Sequence, residues 1–433
     1  MSYQEALQWI HSLYLFGSKL GLGRMEEMLK RLGNPHKLLR CVHIAGTNGK
    51  GSTAVMLAEI FKAQGFKTAL YTSPYLESFT NRMAVNGTDI NETDLINLVG
   101  LIRPLTEEIA LSELGQPTQF EVVTVLAFLY FARCKPDWVV VEVGLGGRFD
   151  ATNVIVPEVS VITNIGLDHT QVLGDTVEAI AFEKAGIIKA GVPVVTAAEK
   201  KPALSVIEET ARRQNAPLTV IGRDVFYSTG QASIEGQVFD YQSKERKIFG
   251  LGISLPGRHQ ARNAATALAA RELIPGLVFD EPAARCGLAA TNWPGRLEVL
   301  SRKPLVLIDG AHNVDGVAAL REALVEILAG RKLHLVLGFL GDKAIEDMLR
   351  LIVPLASAGL VVTRPDNQRA ADPYSVAALV SSYTAIPALV VDDVSLAVTL
   401  SLHNTKDDEV LCVTGSLFTI SNARKTLKDL LVK

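Results

Sequence analysis

The sequence predicts an α/β protein: a large, mainly parallel sheet clad by helices, followed by a smaller α/β unit. Two observations carry that expectation. Short Val/Ile-rich runs alternate with helical patterns along most of the 433 residues, the rhythm of parallel strands with helices on both faces. The rhythm then breaks at "NWPGR" (292–296) and restarts, which places a boundary between residues 294 and 295. The length suits two or three domains, and 48% hydrophobic with 21% charged residues is ordinary for a globular chain.

In chain order, "CVHIAG" (41–46), "KTALYTS" (67–73), "DWVVVEVG" (137–144), "VSVITNIG" (159–166) and "VPVVTA" (192–197) read as strands buried on both faces. Residues 217–255 alternate as an antiparallel patch would, and "HQARNAATALAARELI" is helical. Beyond the break, "LVLIDG" (305–310), "LHLVLGF" (333–339), "GLVVT" (359–363), "ALVVDD" (388–393) and "EVLCVTGS" (409–416) are strands of the second unit. The longest apolar run, 122–132, is too short to span a bilayer. A net charge of −3 without a Lys/Arg-dense run gives no nucleic-acid footprint. The start has no basic stretch before an apolar core, so no secretory signal is expected. Cys41, Cys134, Cys286 and Cys412 lack CxxC spacing, so neither a zinc site nor a disulfide framework is indicated. A cytoplasmic protein in a reducing compartment is the expectation.

"AGTNGKGST" (45–53) has the glycines, lysine and hydroxyls of a phosphate cradle. It departs from G-x-x-x-x-G-K-[ST], with Ile44 in place of the first glycine and Gly51 in place of the hydroxyl. A strand runs into it and a helix begins near Lys50, with Met56, Leu57, Ile60 and Phe61 on one face. Free backbone N–H groups and the positive end of a helix then face an anion. Gly46, Gly49 and Gly51 permit close approach, Lys50 supplies charge, and Ser52 or Thr53 can face a metal or phosphate oxygen. The bland alternative is a strand–helix turn with a solvated lysine.

Nucleoside triphosphate chemistry needs Mg2+ and hard oxygen ligands. Glu142 lies in an apolar strand near its C-terminal end, where ligands of open α/β sheets bind; a buried carboxylate there is paired either with a metal or with a Lys or Arg. Ser73 ends a neighbouring strand. Asp175 and Glu178 resemble a helix cap and capping-box partner, and Lys184 falls in the apolar stripe of the helix they would open. It is either a snorkelling lysine or a partly buried one with a depressed pKa, whose neutral amine can add CO2. His169 stands in a loop at a strand end. In the second unit "LIDGAHN" puts Asp309 and His312 just past a strand.

Taken together, "HIAGTNGKGST", "YTSPYL", "VEVGLGGRFDATN", "LDHTQVLG…EAIAFEKAGIIK", "PGRHQARNAATALAA", "WPGRLE" and "IDGAHNVDG" resemble the folylpolyglutamate synthase family of the Mur-type ligase superfamily, in its order and spacing. The resemblance runs nearly the whole chain. It implies a P-loop-type ATP-binding domain with a folate site (1–294) and a Rossmann-like C-terminal domain on the glutamate side (295–433). It implies that Thr47, Asn48, Gly49, Lys50, Gly51 and Ser52 cradle ATP, with Asn263, Arg296 and Asp309 contacting nucleotide and His312 lying by the phosphates. Ser73, Glu142 and His169 would bind two Mg2+ ions, and Lys184 matches the family's carbamylated lysine. Potassium is a further candidate cofactor. Gly17, Ser18, Lys19 and Leu20, Thr118, Gln119 and Phe120, and Phe149, Asp150 and Ala151 match places where the pterin docks. One departure is Ala344, in Asp342-Lys343-Ala344, where the family commonly reads D-K-D; "QRA" (368–370) matches a C-domain loop only loosely.

The implied reaction is ATP-dependent amide formation. The terminal carboxylate of a reduced folate becomes an acyl phosphate, and the amine of L-glutamate displaces phosphate. Lys50, Lys184 and His312 would serve the chemistry, and closure about "NWPGR" would assemble the site. Alternatives are dihydrofolate synthase, which joins glutamate to dihydropteroate and which some relatives combine with the first activity, a cell-wall Mur ligase, and a non-catalytic ATP-binding regulator. Small-molecule substrates, no nucleic acid or membrane partner, and a monomer complete the expectation.

Overall fold

The structure is a computed structural model and describes residues 1–13 and 21–431. The chain divides into two compact units, one comprising Met1–Phe226, Tyr241–Lys247 and Arg262–Ala290, the other Tyr227–Asp240, Ile248–Ala261 and Thr291–Lys433.

Among the described residues the first unit holds an eight-stranded sheet. Its strands are β1 (Cys41–Ala45), β2 (Thr68–Tyr71), β3 (Met83–Val85), β4 (Thr88–Asp89), β5 (Trp138–Glu142), β6 (Val159–Ile162), β7 (Val194–Thr196) and β8 (Leu218–Val220). They lie in the order β4-β3-β2-β5-β1-β6-β7-β8. All pairings from β2 to β8 are parallel, and only β3 and β4 run antiparallel at one edge. The five long strands read from the sequence are all present. β3 and β4 escaped the reading because neither lies in a Val/Ile-rich run: "MAV" and "TD" flank the turn at Asn86-Gly87. β8 lies in what was read as the antiparallel patch; it joins the large sheet parallel to β7, so that patch begins only later.

The core explains the continuous apolar runs. β1 and β5 are buried along their whole length because helices cover both faces. The helices Tyr3–Ser12, Gly23–Arg31, Glu92–Ala110 and Gln119–Cys134 pack with Ala69, Tyr71, Val139 and Val141 into one apolar cluster. The helix Val177–Lys184 packs with Ala45, Val143 and Ile162 into another. Lys50–Ala63 lies against Glu281–Ala290 so closely that a Cβ on Gly287 would come within 2.6 Å of the Ile60 backbone. Phe61 stacks on Trp138 with ring centroids 4.9 Å apart. No helix among the described residues is long and apolar enough to cross a membrane.

A three-stranded sheet follows, β9 (Phe226–Ser233), β10 (Gly236–Gln242) and β11 (Lys247–Ile253), ordered β11-β10-β9. The second unit's sheet has β12 (Glu298–Arg302), β13 (Leu305–Ile308), β14 (Leu333–Leu337), β15 (Gly359–Val362), β16 (Ala388–Val390) and β17 (Val410–Thr414) in the order β12-β13-β17-β14-β15-β16. Its five sequence-legible strands are parallel. The sixth, β12, is an antiparallel edge strand whose half-buried, charge-bearing sequence hides it.

Candidate functional site

The first unit's sheet reverses its strand order around β1. The chain leaves β1 towards β2 on one side and leaves β6 towards β7 on the other, and such a switch point opens a crevice at the strands' carboxyl ends. The glycine loop emerges there. Thr47 N donates to Asn164 O (2.9 Å), Asn48 N to Asn164 Oδ1 (2.6 Å), and Thr163 Oγ1 to Asn48 O (2.7 Å). The loop is thus tied to the segment after β6 while the helix Lys50–Ala63 starts behind it, its N-cap Gly49 at φ +81°. Only glycine suits that position, since a Cβ would come within 2.4 Å of Asn263 Oδ1. Asn263 therefore abuts the cradle it was expected to serve. Ser52 and Thr53 are buried in the first turn, and the Thr53 hydroxyl meets no partner among the described residues.

Lys184 ends the helix Val177–Lys184, whose cap is Thr176 rather than Asp175: the Thr176 side chain accepts from Ala179 N at 3.2 Å. Lys184 does not snorkel. It is 5% exposed, and its Nζ donates to Gly46 O at 2.9 Å. Lys50 Nζ donates to the same oxygen at 3.1 Å, so two lysine nitrogens share one carbonyl. Burial first, and then the Lys50 charge, push the Lys184 amine down to about 7, against the opposing pull of Asp168 and Asp150.

Glu142 is the last residue of β5, buried, and its Oε2 accepts from Ser73 N at 3.1 Å, so Glu142 and Ser73 meet. His169, at φ +51°, carries a side chain 40% exposed with Nε2 4.0 Å from Asp168 Oδ1. Among the described residues no three His, Cys, Asp or Glu side chains converge on a metal position. The expected donors include only two of that kind, with a hydroxyl and a lysine beside them. Hard oxygens from Ser73 and Glu142 suit Mg2+; Lys184 suits it only as a carbamate, whose formation a buried amine pushed down to about 7, and so partly neutral, favours.

Gly17, Ser18, Lys19 and Leu20 lie outside the described residues. Thr118 is spent on structure: it caps the helix Gln119–Cys134 in a reciprocal capping box with Glu121, and Glu121 in turn pairs with buried Arg24 at 2.9 Å. Gln119 is half-buried, and Phe120 lies over Gly144, where a Cβ would come within 2.4 Å of the ring. Asp150 is buried and accepts from Leu145 N (2.9 Å), Thr152 N (3.0 Å) and the Thr152 hydroxyl, with burial holding its carboxyl above the ordinary value. Ala151 is buried, and Phe149 is 45% exposed.

In the second unit, Asp309 follows β13. It accepts from Leu297 N and Ala311 N, each at 2.8 Å, and burial raises its pKa while Arg296 opposes the shift. Arg296 packs on Gly310, where a Cβ would come within 2.6 Å of its Nη1. His312 Nδ1 lies 2.8 Å from Gly310 O. Leu297, 1% exposed, takes φ +47°. Glu298 accepts from Gly295 N (2.8 Å) and from both Nε and Nη2 of Arg424, which fixes the turn that carries Arg296. Asp342 lies 3.3 Å from Arg369, so the "GDKA" and "QRA" loops meet, and Ala344 is the N-cap of the helix Ile345–Ile352 without a side-chain hydrogen bond.

Sequence reasoning missed Thr163 and Asn164, which brace the loop, and Arg82, whose Nε is buried without an acceptor. The first two were findable as polar residues at the carboxyl end of an apolar strand. Arg82 follows a short irregular segment and carries no motif.

Residues 44–271 match the Mur ligase middle domain, and 295–417 match the Mur ligase glutamate ligase domain. The chain is 40% identical to a Bacillus subtilis dihydrofolate synthase/folylpolyglutamate synthase, covering 99% of both. It is 35% identical to the folylpolyglutamate synthase of Lacticaseibacillus casei, again over 99% of each. Among solved structures, Mycobacterium tuberculosis folylpolyglutamate synthase complexed with ADP superposes with a TM-score of 0.92 at 32% identity, covering 98% of this chain and 99% of that one. E. coli FolC in complex with DHPP and ADP gives 0.88 at 29% identity, covering 99% and 98%.

Proposed function

Because the chain belongs to the Mur ligase family, and within it to the folylpolyglutamate and dihydrofolate synthases, we propose that it is an ATP-dependent ligase joining L-glutamate to the terminal γ-carboxylate of tetrahydrofolate. The observation that carries the reading is the pair of lysines on Gly46 O: a phosphate-loop lysine with a second, buried lysine beside it whose amine is pushed down to about 7. A plain nucleotide-binding module has no use for the second. Relatives solved with ADP, and one with DHPP and ADP, support ATP and a small acceptor as substrates.

The glycine loop and helix N-terminus hold the phosphates, with Lys50 neutralising charge as a carboxylate oxygen of the acceptor attacks the γ-phosphorus, the bond to the β,γ-bridging oxygen breaks, and ADP leaves an acyl phosphate behind. Ser73, Glu142, His169 and carbamylated Lys184 would hold Mg2+, which supplies charge neutralisation at the phosphoryl oxygens. Phe120 and Phe149 offer apolar surface to a pterin. Asp150 fixes the loop 145–152 that carries Phe149. Asn263 against Gly49, together with Arg296, Asp309 and His312, serves the nucleotide. L-glutamate's amine then displaces phosphate through a tetrahedral intermediate, and no protein nucleophile is required. A domain border at 294/295 is part of this reading, supported by the start of the matched glutamate ligase domain at 295, while the compact units divide at Ala290/Thr291 and give 227–240 and 248–261 to the second. A cytoplasmic monomer is the matching state.

Dihydrofolate synthase is the second reading, favoured by the double name of the B. subtilis relative. Phosphate release from MgATP and L-glutamate, measured with tetrahydrofolate and separately with dihydropteroate, tests both. Release with tetrahydrofolate alone means polyglutamylation, and release with both means two activities. Release with neither removes the folate assignment.

A further inference from the structure

Arg82 is held by its backbone and by two rings, yet among the described residues its side chain has no hydrogen-bond acceptor at Nε. It ends the short 3-10 turn Phe79–Arg82, one residue before Met83, which pairs with Tyr71 as the last rung between β2 and β3. Its carbonyl accepts from Thr72 N at 3.0 Å, so the residue is pinned directly across from the Thr72–Ser73 corner. Asn81 beside it locks the turn: its Oδ1 accepts from Ser78 N at 2.8 Å and its Nδ2 donates to Asp89 at 2.6 Å. The guanidinium stands over two rings, 5.1 Å from Tyr75 and 5.8 Å from Phe79. Yet its Nε is buried and meets no acceptor among the described residues. A buried N–H without an acceptor is costly, and in a folded protein it calls for an explanation.

The surroundings supply one. Burial lowers the Arg82 pKa, while Tyr71, Tyr75 and Glu142 act in the opposite sense, so the cation stands within electrostatic reach of the carboxylate that meets Ser73. Tyr71 is also a neighbour of Phe120, with ring centroids 6.3 Å apart. Arg82 is thus tied through its carbonyl to the Thr72–Ser73 corner, packed on Tyr75 and Phe79, and stands in the field of Glu142, the carboxylate that accepts from Ser73 N. The first chemical step brings an anionic carboxylate up to a polyanionic phosphate. Lys50 is committed to the phosphate loop, so the incoming carboxylate needs a cation of its own. Arg82 as a whole is only half-buried, and a planar guanidinium fork is the group best shaped to receive that carboxylate.

We propose that Arg82 binds the reacting carboxylate of the acceptor and holds it for attack on the γ-phosphate. This rests on the folate-ligase reading and adds a substrate-binding residue to it.

The test is binding of tetrahydrofolate and of its γ-carboxamide, each titrated into the full-length protein with Mg2+ and a non-hydrolysable ATP analogue. Wild type should prefer the carboxylate, and in Arg82→Gln that preference should shrink by roughly tenfold or more, the size of a lost charge-assisted hydrogen bond. Arg82→Lys, which keeps the charge but loses the fork, should fall between the two. In steady state, the KM for tetrahydrofolate should rise in both variants while that for ATP stays within about twofold. An Arg82→Gln protein that binds both ligands more weakly by the same factor, or that loses ATP affinity in parallel, reduces Arg82 to a brace of its loop and overturns the proposal. Wild type that binds neither ligand overturns the folate reading itself.

Discussion

Replacing Lys184 by alanine should abolish ligation while leaving ATP affinity within about twofold, because the phosphates are held by the loop and Lys50, not by Lys184. Phosphate release and nucleotide titration check the two halves; unchanged turnover would remove Lys184 from the mechanism. The same residue gives a pH signature. Its amine is near 7 when folded and near 10.5 when unfolded, so between those values the unfolded chain binds the extra proton and stability rises with pH. Measured from pH 7 to 9 in bicarbonate-free buffer, wild type should gain up to about 1.4 kcal/mol per pH unit relative to Lys184→Met. A flat difference would mean that the amine stays charged. Gly49→Ala should weaken ATP at least about tenfold, since the Cβ collides with Asn263 and the backbone sits at positive φ.

Elements divide into those written in periodicity and those set by contacts. β1, β5 and β6 were readable as unbroken Val/Ile runs, and the phosphate loop was readable because a strand led into it. Lys184 stood out as a cation in an apolar stripe. The β3–β4 edge, β12 and the Arg82 turn were not legible, because two to five residues stabilised by distant partners leave no local pattern. The cap of the helix Val177–Lys184 went to Thr176 over Asp175, a one-residue choice that sequence spacing cannot make. Caps also make a prediction. The helix Ile345–Ile352 begins on Ala344, so Ala344→Asp should stabilise the protein by about 1 kcal/mol in thermal or urea unfolding. Arg424→Met should do the reverse by about 3 kcal/mol, since it leaves Glu298 half-buried and unpaired.

At the scale of the whole molecule, each unit has its own core and its own mainly parallel sheet, and candidate site residues stand at the carboxyl ends of strands in both. A ligand that binds only the folded state stabilises it by mass action. MgATP at about 100 times its Kd should therefore raise the unfolding free energy by about 2.7 kcal/mol, and removing Mg2+ with a chelator should erase most of that gain. Persistence of the full shift without the cation would argue against Ser73 and Glu142 as ligands.

Leu297 shows backbone and core voting differently at one position. Its φ of +47° favours glycine, and the strain of a leucine there is on the order of 1 kcal/mol. Its side chain is buried in the second unit's core, where emptying a leucine-sized space costs about 3 kcal/mol or more. The larger number wins, so the chain keeps a residue that its own turn disfavours. A lineage drifting to glycine here would gain an easier turn and a less stable protein, and selection for stability would return it to leucine.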